Sequence, residues 1–135
     1  MTTQYTQAAY TAAMETAAGL IGMRLEPFVE PGPGEPGNAR DFTQLATMHT
    51  FGDAWPRTEV LDVRTRALIS VTIAAVLGTL EPLRGQLRIA LRSGVSPEQI
   101  VEAFIQIEAY AGAARAFDSY RVAREVFAER SAATP

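Results

Sequence analysis

A chain of 135 residues, 47% hydrophobic and 20% charged, carries enough apolar surface for one core and is expected to form a single domain spanning 1–135. Its net charge of −3 without a block of like charges leaves no electrostatic footprint for nucleic acid or an anionic membrane, so neither is an expected partner. With no cysteine and no lysine, disulfides, thiol redox chemistry, thiolate nucleophiles and lysine Schiff bases are all excluded, and His49 is the one imidazole available.

In chain order, residues from about Tyr5 to Ile21 are rich in Ala, Met, Leu and Thr and contain no proline, which predicts a first helix. No basic residue precedes Arg24, unlike a secretory signal, and a cytoplasmic location is the expectation. The run 31–37, with three prolines and three glycines, can neither continue a helix nor join a ladder and is expected to be a loop. It is read as a plain surface connection, with a lid or an arm reaching a neighbouring subunit as the alternative.

From Asp41 to about Asp53, Phe42, Leu45 and Met48 recur at helical spacing up to Gly52 and Pro56, predicting a second helix that carries His49. Asp62 is placed to cap a third helix that ends at Gly78. Its middle, Ala67 to Leu77, holds no charge, so burial nearly all round is expected. That stretch is still far short of the roughly 20 residues that span a bilayer. A fourth helix over about 81–93 has the stripe Leu83, Leu87, Ala90 and Leu91, with Arg84, Arg88 and Arg92 in a row read as a solvated or subunit-pairing face.

Gly94-Val95-Ser96-Pro97-Glu98-Gln99 is a stop followed by a start. Gly94 closes one helix, Ser96 caps the next, Pro97 suits its first turn and Gln99 completes a capping box. The fifth helix then runs to about Ala111, with Val101, Phe104, Ile105 and Glu108 on one stripe. After Gly112 a sixth, about 113–129, is expected to bury Ala116, Phe117, Tyr120, Ala123 and Phe127 and to expose Arg121 and Glu125 as a pair. No segment reads as a strand or a repeat, so the fold class is all-α, a bundle of about six helices.

The stretch from about Phe42 to Phe127 resembles the carboxymuconolactone decarboxylase family, which also includes alkylhydroperoxidase-like proteins. The residues that carry the likeness are Phe51-Gly52-Asp53-Ala54-Trp55 with Arg57, Leu61-Asp62 with Arg66, the run Gln86 to Ile100, and Tyr110-Ala111-Gly112. The resemblance implies a homo-oligomeric helical bundle, trimeric or hexameric, with a small-molecule pocket between the third to fifth helices and a neighbouring subunit. It also implies a cofactor-free lyase reaction.

The departures are equally specific. Gln86 stands where the family has a histidine before Ala-Leu, Thr79 and Pro82 stand where redox-active members have Cys-x-x-Cys, and Ala67 stands at the proton-relay glutamate. Peroxide reduction needs a thiolate and its proton relay, so that activity is not expected. Glutamine has no useful pKa and can only orient or hydrogen-bond a substrate. Ala114 replaces the proline that follows Tyr-Ala-Gly in the family.

The substitute acid or base is sought in His49, the residue that titrates nearest neutrality, although a histidine at a helix edge also serves structural roles. Glu108, on an apolar stripe, is the second catalytic candidate, expected either to pair with an arginine or to carry a raised pKa. Trp55, Arg57 and Arg66 are candidates for an aromatic wall and a carboxylate clamp, with a protein carboxylate as the other partner for Arg66. Gln86 and Tyr110 are hydrogen-bonding candidates, Tyr110 having packing against the sixth helix as its alternative. One histidine is sparse ligation, so no metal site is expected, and no cofactor is implied. The expected function is a cofactor-independent lyase or related enzyme acting on a small cyclic or aromatic-derived acid or lactone, with a non-catalytic binding or scaffold protein as the alternative.

Overall fold

A computed structural model describes residues 5–133. The chain forms two compact units, 1–61 and 62–135, each built wholly of helices within the described residues.

In the first unit, α1 (Gln7–Ile21) is capped by the Thr6 side chain, which accepts from Ala9 N, and closed by Gly22 in the left-handed conformation. A short α2 (Glu26–Val29) follows. Arg24 bonds both Glu15 and Glu26, and the ion pair with Arg24 holds the Glu26 carboxyl below its usual range. The 31–37 run is loop, and Glu35 folds back to accept a bond from the Gly32 amide. Next come α3 (Ala39–Thr47) and, without a break, a π-helix over Met48–Ala54. Ala13, Met14 and Ala17 of α1 and Met48, Phe51 and Trp55 are buried, where α1 packs on α3 and on the π-helix. The sequence pattern located this helical segment but not its change of pitch. Phe42, one of the apolar positions that recur at helical spacing, is 72% exposed.

The second unit is a cluster of four helices, α4 (Val63–Leu77), α5 (Leu80–Arg92), α6 (Pro97–Ala111) and α7 (Ala113–Ala133). Asp62 caps α4 by accepting from Thr65 N at 2.8 Å, and that bond depresses its pKa. Gly78 ends α4 with φ 71°. A Cβ there would displace only the end of the flexible Arg115 side chain, so it is the left-handed backbone that selects glycine.

Ser96 and Gln99 form the capping box in both directions, and the Gln99 side-chain oxygen also accepts from Arg64 Nη2 at 3.3 Å. The cap therefore also ties the start of α4 to the start of α6. Ser96→Ala is expected to cost about 1 kcal/mol, read as a lower midpoint in urea unfolding with an unchanged slope.

The unit's core consists of Ala67, Val71 and Ala75 of α4, Leu83, Leu87 and Ala90 of α5, Ile100 and Phe104 of α6, and Val122, Ala123 and Val126 of α7. The small residues on α4 let its backbone come close to α7, where buried Ser119 donates to the Ala75 carbonyl at 2.7 Å.

Three expectations about these helices are corrected. Helix α4 is not buried all round: Ile69, Ile73, Val76 and Leu77 are 44%, 53%, 41% and 65% exposed, because α5, α6 and α7 leave one face of it uncovered. Phe117, expected in the core, is 76% exposed. Glu125 pairs not with Arg121 but with Arg84 of α5, at 2.6 Å, and Arg121 lies 3.8 Å from Asp118. Arg88 likewise makes two bonds to Glu129, at 2.8 and 3.0 Å, and holds that carboxyl below its usual range. Two members of the arginine row thus clamp α5 to α7, a use of planar guanidinium groups at half-buried sites.

Candidate functional site

His49 stands on the first turn of the π-helix with its side chain 85% exposed. A π-helix takes one extra residue per turn, and the bond from Trp55 N to Thr50 O at 3.0 Å closes the segment in that i to i+5 pattern. Such turns are rare and occur frequently at functional sites. The turn packs tightly: a Cβ on Gly52 would come within 2.9 Å of the Met48 Cε. His49 Nδ1 lies 3.9 Å from Asp53 Oδ2, too long for a hydrogen bond but close enough for the carboxylate to bias the orientation of the ring.

Asp53 was not singled out as a partner, although the spacing of four between it and His49 is the signal that reveals it. In the same unit Trp55 is buried, 5% exposed, and Arg57 is exposed.

In the second unit, Arg66 sits half-buried on the first turn of α4 and Gln86 half-buried in the middle of α5. The Gln86 Oε1 is enclosed and has no hydrogen-bond partner among the described residues. A buried acceptor left unpaired is costly, and a hydroxyl or protonated carboxyl on a bound molecule would satisfy it. Ala67 is fully buried, and Thr79, at the start of α5, turns its hydroxyl back to the Ala74 carbonyl. Neither position supplies an acid or a base. Tyr110 is 86% exposed rather than packed on α7.

Glu108 lacks the arginine partner that was one of its two expected settings. It is exposed, and no arginine pairs with it among the described residues. It lines an open groove of about 270 Å³ between α6 and α7 with Val101, Phe104, Ile105, Phe117 and Tyr120.

A larger groove of about 610 Å³ lies between α4 and α6, in the region expected to hold the pocket, and Glu98, Glu102, Gln99, Gln106 and Thr72 line it. Its two carboxylates oppose an anionic substrate. A small cleft of about 20 Å³ in the first unit is lined by Tyr10, Gln44 and Met48 among others. Among the described residues no three His, Asp or Glu side chains are grouped to hold a metal ion, and no helix is long and apolar enough to cross a membrane.

Residues 40–125 match the model of a family described as the carboxymuconolactone decarboxylase family. The chain is also similar to a 4-carboxymuconolactone decarboxylase of Acinetobacter baylyi (strain ATCC 33305 / BD413 / ADP1), 28% identical over 88 residues that make up 65% of each protein. The chain thus matches 65% of the length of that curated relative. The matched region takes in most of α3, the π-helix, all of α4 to α6 and most of α7.

Proposed function

Because this chain belongs to the carboxymuconolactone decarboxylase family, we propose that it is a cofactor-independent lyase acting on a small cyclic or aromatic-derived acid or lactone. In a decarboxylation of that kind the bond to the carboxylate carbon breaks and CO2 leaves. The electron pair left behind spreads into the lactone carbonyl until an acid returns a proton to carbon. One group able to hand over a proton is needed, and His49 is the group assigned.

The observation that carries the assignment is the placing of His49 on a π-helical turn with Asp53 3.9 Å from its Nδ1. Gln86, at the position of the family histidine in the second unit, has an enclosed Oε1 that can accept a bond but cannot move a proton. Glu108 is set aside as an acid because it is exposed beside apolar side chains and away from any of these groups in sequence. Arg57, in the same unit as His49, is the cation assigned to a substrate carboxylate. With its side chain 85% exposed in a single chain, His49 works in a water-excluding site only if a second copy covers it, so the enzyme is read as a homo-oligomer.

A second reading, binding without catalysis, is favoured by one observation: the family's acid/base position is occupied by an amide. Calorimetric titration with 4-carboxymuconolactone and related lactone acids, run beside an assay of product formation, separates the two. Binding with turnover supports the lyase, binding without turnover supports the second reading, and neither binding nor turnover of any lactone acid overturns both.

A further inference from the structure

We propose that the groove between α6 and α7 is a self-association face, filled by the same two helices of a second copy of this chain in two-fold contact. The inference rests on the homo-oligomer reading above and specifies one surface that makes it. The groove is apolar, and Ile105 and Phe117 stand out of it, 55% and 76% exposed. At about 270 Å³ it falls below the roughly 300–1,000 Å³ typical of small-molecule sites, and its most prominent side chains project outward instead of enclosing a cavity. Projecting apolar side chains are knobs for an opposing surface.

The charges on this face set the register. Glu108 is the one charged residue lining the groove. Arg124, on α7, is exposed, and like Glu108 it has no ion pair among the described residues. It follows Phe117 by two helical turns and Tyr120 by one, so it continues the same face of α7.

Helices α6 and α7 double back around Gly112, which places Phe104 beside Tyr120, ring centroids 5.2 Å apart. Glu108 then lies one turn to one side of the Tyr120 level and Arg124 one turn to the other, each about 6 Å away at 1.5 Å per residue. A two-fold axis at the Tyr120 level brings Glu108 of each copy to Arg124 of the other, and the apolar side chains meet between the two ion pairs. In an isologous contact residue i meets j while j meets i, and this face has the required opposite charges at equal distances. A shift of register would instead oppose like charges.

Sedimentation equilibrium over a concentration series tests the assignment, with circular dichroism confirming that each variant is folded. Phe117→Asp is expected to remove this association step. Glu108→Arg and Arg124→Glu are each expected to weaken it by at least about tenfold by opposing like charges. The double variant Glu108→Arg with Arg124→Glu is expected to return to within about threefold of the parent, because the swap restores both pairs. If the protein is oligomeric and none of these variants changes the assembly, this face is overturned while the homo-oligomer stands. If the parent chain is a monomer throughout, both readings fail. A monomer that binds octylammonium, and loses it on Glu108→Gln, would assign the groove to an amphiphilic amine instead.

Discussion

Replacing His49 with glutamine is expected to lower turnover by about a hundredfold or more, since positioned acid–base groups contribute on the order of 10² to 10⁴. The fold should survive the change, because the side chain is 85% exposed and takes no part in the core. Asp53→Asn should produce a smaller loss, because it removes the carboxylate beside Nδ1 that biases the orientation of the ring and leaves the imidazole itself in place. Initial rates at saturating substrate, with circular dichroism on the same samples, check the prediction. Full activity in the glutamine variant would remove His49 from the mechanism and return attention to the enclosed amide of Gln86.

Leu87→Ala is expected to destabilise the protein by about 2–5 kcal/mol, the range found when a buried leucine is cut back to its Cβ. Leu87 is fully buried on the face of α5 that the hydrophobic stripe defines, and α5 has α4 on one side and α7 on the other. Against a total stability of about 5–15 kcal/mol for a native protein, such a loss brings the chain close to unfolding. Val60→Ala is the matched control. Val60 is fully exposed, and a surface truncation is expected to stay within about 0.5 kcal/mol. Urea unfolding of the two variants, followed by far-ultraviolet circular dichroism, gives both numbers.

The helix boundaries were legible wherever the chemistry of a terminus is local. Asp62, Gly78, the Ser96 to Gln99 box and Gly112 all act at the positions their residue types require, because a cap is decided by a few neighbouring atoms. The α5 stripe was legible for a related reason: Leu83, Leu87 and Ala90 meet the core at a simple helical period.

Which apolar residues end up covered was less legible, since that depends on how many helices are available to cover them. Ile73, Leu77 and Phe117 are as hydrophobic as their buried neighbours, and nothing local distinguishes them. The partners of Arg84 and Arg88 lie some forty residues further along the chain, beyond the reach of a spacing rule, so a row that reads as solvated is in fact a clamp.

The candidate site was legible as positions more than as geometry. The motif likeness located Gln86, Ala67 and Thr79 and showed which groups are missing. The π-helical turn beneath His49 left no mark in hydrophobic period, because seven residues hold fewer than two turns, too few for a change of pitch to show. Glu108 was misjudged for a physical reason. A carboxylate on an apolar stripe was expected to be buried, but the stripe lies at the edge of the helix pair and opens to solvent.

The central claim is lyase chemistry on a lactone acid without a cofactor, and it is tested most directly by running the reaction in D2O with 4-carboxymuconolactone labelled at the carboxylate carbon borne directly on the ring. Chelator-treated protein is used, and released CO2 and the isolated product are analysed by mass spectrometry. The account predicts labelled CO2 together with a product carrying one deuterium on the ring carbon next to the lactone carbonyl, where the released electron pair takes up its proton as the ring double bond shifts, both dependent on His49. Substrate that binds to the protein and is recovered unchanged, with its label intact, would contradict the claim.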